Sequence, residues 1–355
     1  MKKYPLLLFG VFLFFLSSCT FDTTDQKNTT TYDYYLYFST TMDNHLTSGR
    51  LIGVGAKDQV LLKTSGLELG GFTQLDQQLH CSDRQYDYIY TPKTGEIKKV
   101  KRATKEHTGI KTMAIEETVI KLFNHGYSEN GQYHTHIYMN QKNYLIKEYI
   151  YIVGNDLNNI YTLGETDLNE LSLSRHYFHQ DELISEFIGT FPNSERESYH
   201  FSYYLAVYHN NLYSVVFDLS SGNPYLFQYS LTDHMHNLKN LASEIKFEDV
   251  GFFSANGSFI YKDQLVYFSG NNTIYFIDLE TAQINKKYYT DIDLTGHFFI
   301  DSIDGQMIAI ANYNAEHNID IWTLDLATFK EKKERTIDTS LWRSNEYLYD
   351  FQVSK

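Results

Sequence analysis

A strand followed by the same polar turn recurs along this chain, and an internal repeat of that kind restricts a chain to few architectures. The copies are Tyr88-Ile89-Tyr90-Thr91-Pro92-Lys93-Thr94 and Tyr161-Thr162-Leu163-Gly164-Glu165-Thr166-Asp167. They continue with Phe227-Gln228-Tyr229-Ser230-Leu231-Thr232-Asp233, Tyr275-Phe276-Ile277-Asp278-Leu279-Glu280-Thr281 and Trp322-Thr323-Leu324-Asp325-Leu326-Ala327-Thr328. In each, an aromatic is followed two residues later by an apolar or Tyr residue. A small or Asp residue then opens the turn, and Thr or Asp closes it three positions on. Short polar side chains at such positions bond to backbone N–H groups and fix the turn.

The openers Thr91, Gly164, Ser230, Asp278 and Asp325 are spaced by 73, 66, 48 and 47 residues. The last two spacings match one four-stranded propeller blade of about 40–50 residues. The first two imply long blades or an extra degenerate one. The remaining chain is consistent with this. Short apolar runs such as Tyr34 to Ser39, Arg50 to Gly55, Tyr133 to Met139, Tyr144 to Val153, Leu212 to Phe217 and Gln264 to Phe268 alternate with Gly, Asn and Asp turns. Only the segment Lys105 to Phe123 fits neither period and reads as a helix or an outer strand. Blades bury their faces only against neighbours, so the ring must close. Tyr34 to Ser39 and Tyr347 to Val353 are the natural strands to share the closing blade. The expectation is an all-β, six- or seven-bladed antiparallel β-propeller over residues 34–355, with a β-sandwich as runner-up. The 31 Tyr and 24 Phe support it, because aromatic side chains suit a half-buried pleated surface.

Two family resemblances add to this. The strand running into Asp278-Leu279-Glu280-Thr281, and Thr91-Pro92-Lys93-Thr94-Gly95, resemble the repeats of quinoprotein-like (PQQ-repeat-like) propellers. Lys99 and Lys286 stand where those repeats carry Trp, and the adjacent cysteines of the cofactor-bearing enzymes are absent. The resemblance therefore implies a fold and no quinone, and no cofactor is expected. At the other end, Lys2 and Lys3 precede an apolar stretch from Tyr4 to Leu16, too short for the roughly 20 residues that span a bilayer. Leu16-Ser17-Ser18-Cys19 resembles the lipobox of bacterial prolipoproteins. That resemblance implies a signal peptide over residues 1–18 and a diacylated Cys19 as the first mature residue. Two acyl chains hold a protein to a membrane stably, where one does not. Residues 19–33, rich in Thr, Asp, Asn and Lys, read as a disordered tether. The expected location is the cell membrane, facing the extracytoplasmic side.

Cys81 is the only other cysteine, so no intramolecular disulfide is open to the mature chain, and Cys81 reads as a buried thiol. The formal charge of −14 becomes −16 when Lys2 and Lys3 leave with the signal peptide. Such an acidic body repels phosphate backbones, which excludes nucleic acid as a partner and leaves the lipid as the membrane attachment.

Histidine pairs stand out among the constellations. His134 and His136 fall on one face of the predicted strand Tyr133 to Met139, with His125 near, and three imidazoles could chelate zinc. His234 and His236 share the spacing but follow a turn. With no fourth ligand in view, the preferred reading is hydrogen-bonded histidines and no metal site. Asp291-Ile292-Asp293-Leu294-Thr295-Gly296 opens like a calcium loop, but Ser302 stands where the closing Glu belongs, so it reads as a turn. Glu116-Glu117 and the pair Glu195 and Glu197 read as solvated surface. No nucleophile elbow, phosphate loop or metalloprotease motif occurs.

The functional expectation is a non-catalytic binding or scaffold module at the bacterial cell surface, with an unidentified protein or glycan partner. The alternative is an extracytoplasmic hydrolase or lyase acting on polysaccharide. Replacing Cys19 with Ala should release the protein from the membrane fraction or block its maturation. Unchanged fractionation of that variant would overturn the lipoprotein reading.

Overall fold

The computed structural model describes residues 31–41, 47–67, 70–165, 171–191, 199–202, 205–241, 245 and 258–355. Cys19, most of the predicted tether, Glu195 and Glu197 lie outside the described residues. Among the described residues, twenty-nine strands form seven antiparallel sheets. Blade 1 holds β1 (Tyr32–Ser39), β2 (Gly49–Gly55) and β3 (Gln59–Thr64), completed by β29 (Tyr347–Val353). Blade 2 holds β4 (Phe72–Leu75), β5 (Gln78–Ser82), β6 (Tyr86–Thr91) and β7 (Glu96–Lys101). Blade 3 holds β8 (Thr108–Ile115), β9 (Thr118–Tyr127), β10 (Tyr133–Met139) and β11 (Lys142–Ile146). Blade 4 holds β12 (Tyr149–Asn155), β13 (Ile160–Glu165), β14 (Leu171–His179) and β15 (Glu182–Thr190). Blade 5 begins with two short pieces, β16 (Tyr199–Phe201) and β17 (Ala206–Tyr208), and continues with β18 (Asn211–Asp218), β19 (Pro224–Ser230) and β20 (His236–Asn240). Blade 6 holds β21 (Ser258–Tyr261), β22 (Gln264–Ser269), β23 (Thr273–Asp278) and β24 (Ile284–Tyr289). Blade 7 holds β25 (Phe298–Ser302), β26 (Met307–Tyr313), β27 (Ile319–Asp325) and β28 (Glu331–Ile337).

The fold is a seven-bladed β-propeller. Its termini meet as the alternation of strands indicated, because β29 pairs with β1 and supplies the innermost strand of blade 1. The middle strands are buried on both faces, as in β22, whereas the outermost β7 is almost wholly exposed.

Four of the five repeated turns fall at the same place, the hairpin between the third and fourth strands. Thr91, Ser230, Asp278 and Asp325 each accept a backbone N–H from the residue four positions on, at 2.7 to 3.1 Å. That residue has a left-handed φ in every case: Gly95 at 72°, His234 at 59°, Ala282 at 59° and Phe329 at 58°. The opener's side chain ties down the turn, as where Asp278 Oδ1 accepts from the Glu280 and Thr281 N–H groups at 3.1 and 2.7 Å.

Gly164 is the exception. It lies inside β13, the second strand of blade 4, and is not a turn opener at the equivalent position. Blades 3 and 4 close the corresponding hairpin with Asn140-Gln141 and Gln180-Asp181, both residues left-handed in each pair. Two-residue turns of this kind match the strand twist without a polar opener. Two further sequence expectations are corrected. Lys105 to Phe123 is neither helix nor outer strand, but a link followed by innermost β8 and then β9, turned at the exposed Glu116-Glu117. Tyr144 to Val153 divides into β11 and β12 of successive blades.

Phe351 is fully buried where β29 locks into blade 1, opposite Leu36 and with its ring centroid 5.8 Å from that of Tyr34. Phe351→Ala should cost about 3–5 kcal/mol, read as a lowered midpoint of urea unfolding followed by Trp fluorescence.

Candidate functional site

Six of the seven junctions between blades are sealed by clusters of ten or more buried apolar side chains. The junction between blades 2 and 3 is different. Its buried apolar cluster is limited to Leu67, Phe123 and Tyr138, and polar and charged groups share the rest of the seam with half-buried Ile89, Val100 and Val119. Asp87 on β6 takes an ion pair from Lys121 on β9 at 2.9 Å and another from Arg102, which follows β7. The Arg102 guanidinium also stacks 4.7 Å from the Phe123 ring and donates to the Asp83 and Tyr86 carbonyls. Burial opposes the charge on Asp87, but the Lys121 and Arg102 cations outweigh it and hold the carboxyl below its ordinary range. A buried ionic seam in place of apolar packing brings little net stability, since desolvation offsets much of the attraction. Departures of this kind from local packing rules concentrate at functional sites.

At one end of the seam stands a buried carboxylate. Glu106, in the link from β7 to β8, is fully inaccessible. Its Oε1 accepts from Tyr138 Oη at 2.6 Å, from Thr104 Oγ1 at 2.7 Å and from His136 Nδ1 at 2.9 Å. Its Oε2 lies 3.0 Å from His125 Nδ1. Burial alone would raise its pKa; the hydrogen bonds from His136, Tyr138 and Thr104 prevail and hold it at about 2. The His125 and His136 rings stack with centroids 4.1 Å apart and planes at 23°.

A bulge builds this arrangement. β10 pairs His134 with Gly126 and Thr135 with Asn124, so His125 is the extra residue of β9. Without the bulge His125 would stand opposite His134. With it, the ring is turned onto His136, as bulges commonly re-aim side chains. The structure thus gathers His125 and His136 from the sequence trio, replaces His134 by Glu106, and assembles the only such potential metal-binding group among the described residues. His234 and His236 take no part; His234 Nδ1 lies 3.0 Å from Tyr229 Oη. Asp293 accepts from Thr295 N–H at 3.0 Å within a link between blades, as a turn. Cys81 is fully buried, and burial pushes its thiol up to about 12, which leaves it inert.

Glu106 was invisible in the sequence because nothing local distinguishes it. Its signal is positional, repeated at two other links. Glu148, just before β12, accepts from Ser174 Oγ on β14 at 2.7 Å. Glu346, just before β29, accepts from Ser48 Oγ at 2.5 Å and from Arg50 Nε on β2 at 2.7 Å. In all three, a carboxylate at the entrance to an innermost strand reaches to the third strand of its own blade. Only the blade 3 copy meets imidazoles.

The family model of the YycP β-propeller domain matches residues 32–354. The chain belongs to the YycP β-propeller family. No functionally curated protein matches this YycP-family chain. Among solved structures, apo AztD from Citrobacter koseri is similar with a TM-score of 0.52 and 11% identity, over 90% of this chain and 97% of that one. A puromycin-hydrolyzing peptidase of Mycobacterium tuberculosis matches with a TM-score of 0.53 and 9% identity, over 87% of this chain and 55% of that one. At such identities the likeness is one of fold alone.

The central channel of the YycP-family propeller contains a cavity of about 550 Å³ lined by residues of innermost strands, among them Lys111, Asn155, Phe299 and Asp350. Asp350 Oδ2 accepts from the Phe72 N–H at 3.0 Å, which ties β29 to blade 2. Asp301 Oδ2 accepts from the Val353 N–H at 2.8 Å, which ties blade 7 to β29. Burial pushes Asp350 up to about 6, against the backbone hydrogen bond and the Lys111 charge.

Because the Glu106 carboxyl is depressed in the fold, its contribution is fully present above pH about 4.5 and is lost as the pH falls from there toward about 2. Glu106→Gln should therefore cost about 2 kcal/mol at neutral pH, the scale of lost charge-assisted hydrogen bonds. The difference from the wild type should shrink as the pH falls from about 4.5 toward about 2 in a series of urea melts. A cost independent of pH would refute the charged role of Glu106.

Proposed function

We propose that this YycP-family chain is a lipid-anchored, extracytoplasmic propeller that acts as a non-catalytic binding or scaffold module at the bacterial cell surface. The anchor is the diacylated Cys19, and the quinoprotein-like turns are a matter of fold rather than of a bound quinone. The observation that carries the non-catalytic reading is the use made of two carboxylates on innermost strands. An acid/base pair needs oxygens free to face a substrate. Asp350 instead accepts from the Phe72 and Phe351 N–H groups, and Asp301 from those of Val353 and Ser302. Both serve the closing strand. The acidic surface disfavours phosphate-rich partners, which leaves proteins and glycans as the classes to search.

One observation favours the alternative, a polysaccharide-acting hydrolase or lyase. Asp350, held near 6, faces a cavity large enough for a sugar unit, and a carboxyl poised there suits a general acid. Two experiments separate the readings. The lipidated protein, solubilised from its own membranes, should retain a specific protein or glycan that is displaced by added propeller. A panel of cell-wall and host glycans should show no turnover. Hydrolysis that disappears in Asp350→Asn while the variant remains folded would replace the scaffold reading by the enzymatic one.

A further inference from the structure

We propose that Glu106, His125 and His136 form a binding site for one divalent transition-metal ion of the zinc class. The donor atoms come from three separate segments: the link before β8, the bulge of β9 and the start of β10. They all lie within 4.8 Å of one another. Two donors each about 2.1 Å from an ion stand about 3.0–3.4 Å apart for angles between about 90° and 109°. The carboxylate-to-imidazole distances of 2.9 and 3.0 Å already meet the short end of that range. No pair in the set is more than 4.8 Å apart, so binding would require the wider separations to contract toward that range.

The chemistry of the set selects the class of ion. Two imidazoles and one carboxylate are a known zinc ligand set, whereas calcium and magnesium take oxygen ligands. Before binding, each Nδ1 faces a carboxylate oxygen of Glu106. On binding, the Nδ1 proton of each ring leaves and the lone pair so exposed turns to the ion, while Glu106 supplies a carboxylate oxygen. No oxidation or reduction is involved. Tyr138 and Thr104 both bond to the carboxylate and hold it in place, the outer-shell support that metal ligands usually have.

Two features set the cluster apart from an ordinary structural hydrogen bond. At the equivalent links Glu148 bonds to Ser174 through one oxygen only, its Oε2 being buried without a partner, and Glu346 bonds to Ser48 and Arg50, so the fold does not demand histidines there. The cluster is also open on one side only. The His125 side chain is 32% exposed while those of His136 and Glu106 are 6% and 0%, which gives an ion an entry and leaves a coordination position for water or a partner's donor. His107 stands at this rim, its ring centroid 5.9 Å from that of His125. The proposal is independent of whether the propeller is a scaffold or an enzyme.

The test uses the full lipidated chain in detergent, stripped with a chelator and titrated with Co²⁺ and Zn²⁺ alone. One ion should bind per chain, Co²⁺ should develop visible ligand-field bands, and Zn²⁺ should raise the thermal midpoint. His125→Ala removes the most exposed ligand and should leave the fold intact by circular dichroism. It should weaken binding at least about tenfold and abolish the midpoint shift, since loss of even an outer-shell partner can cost that much. Glu106→Gln should do the same, and if that variant does not fold, His125→Ala decides. Absence of saturable binding, or equal affinity and stoichiometry in wild type and His125→Ala, would overturn the proposal.

Discussion

Everything in this molecule depends on one antiparallel pairing, that of β29 with β1. A blade cannot bury its own faces. Each stacks against the next, so an open ring would leave two apolar faces in water. The closing blade takes three strands from the beginning of the propeller and its innermost strand from the end. Phe38, Ile52, Phe351 and Leu348 then pack against Phe299, Ile319 and Ile321 of blade 7 on one side. Tyr35, Tyr37 and Leu51 pack against Leu79 and Tyr90 of blade 2 on the other. The Asp350 and Asp301 carboxylates add hydrogen bonds from β29 to both neighbouring blades. That engagement explains why these two half-buried acids of innermost strands are better read as parts of the closure than as a catalytic pair.

Against this frame of apolar junctions, the seam between blades 2 and 3 is the departure. Arg102 and Lys121 face Asp87, and Glu106 sits among hydroxyls and imidazoles. Such a network is tolerable only when its members are satisfied, and most here are. Arg102 Nε is one buried atom left without a partner. Leucines and phenylalanines at these positions would serve the other six junctions' purpose equally well, so the polar choice points to something other than ring stability.

How far these features could be read in advance follows from their locality. The Asp278 and Asp325 turns are legible because the bonding is contained within four residues: a side chain accepts two N–H groups and the chain turns left-handed just beyond. The turns of blades 3 and 4 were hidden, one in the 73-residue gap and the other in the 66-residue gap, because two-residue turns need no such opener. Gly164 matched the pattern by composition while lying within a strand. The histidines of β9 and β10 were visible as a spacing, but the choice of His125 and His136 over His134 rests on a bulge. A bulge is a property of the pairing between two strands and not of either one.

The amino-acid sequence by itself determined the class of the chain: short aromatic strands, polar turns at blade-like intervals, and first and last strands suited to one sheet. These follow from local propensity and alternation, which act within a few residues. The tertiary structure alone decided the number of blades, the polar seam and the meeting of Glu106 with His125 and His136. Those depend on which strand lies beside which and in what register. Glu106 comes from a link and the histidines from strands 19 and 30 residues further on, and only the folding of the link and the strand pairing within blade 3 give that separation a distance of 3 Å.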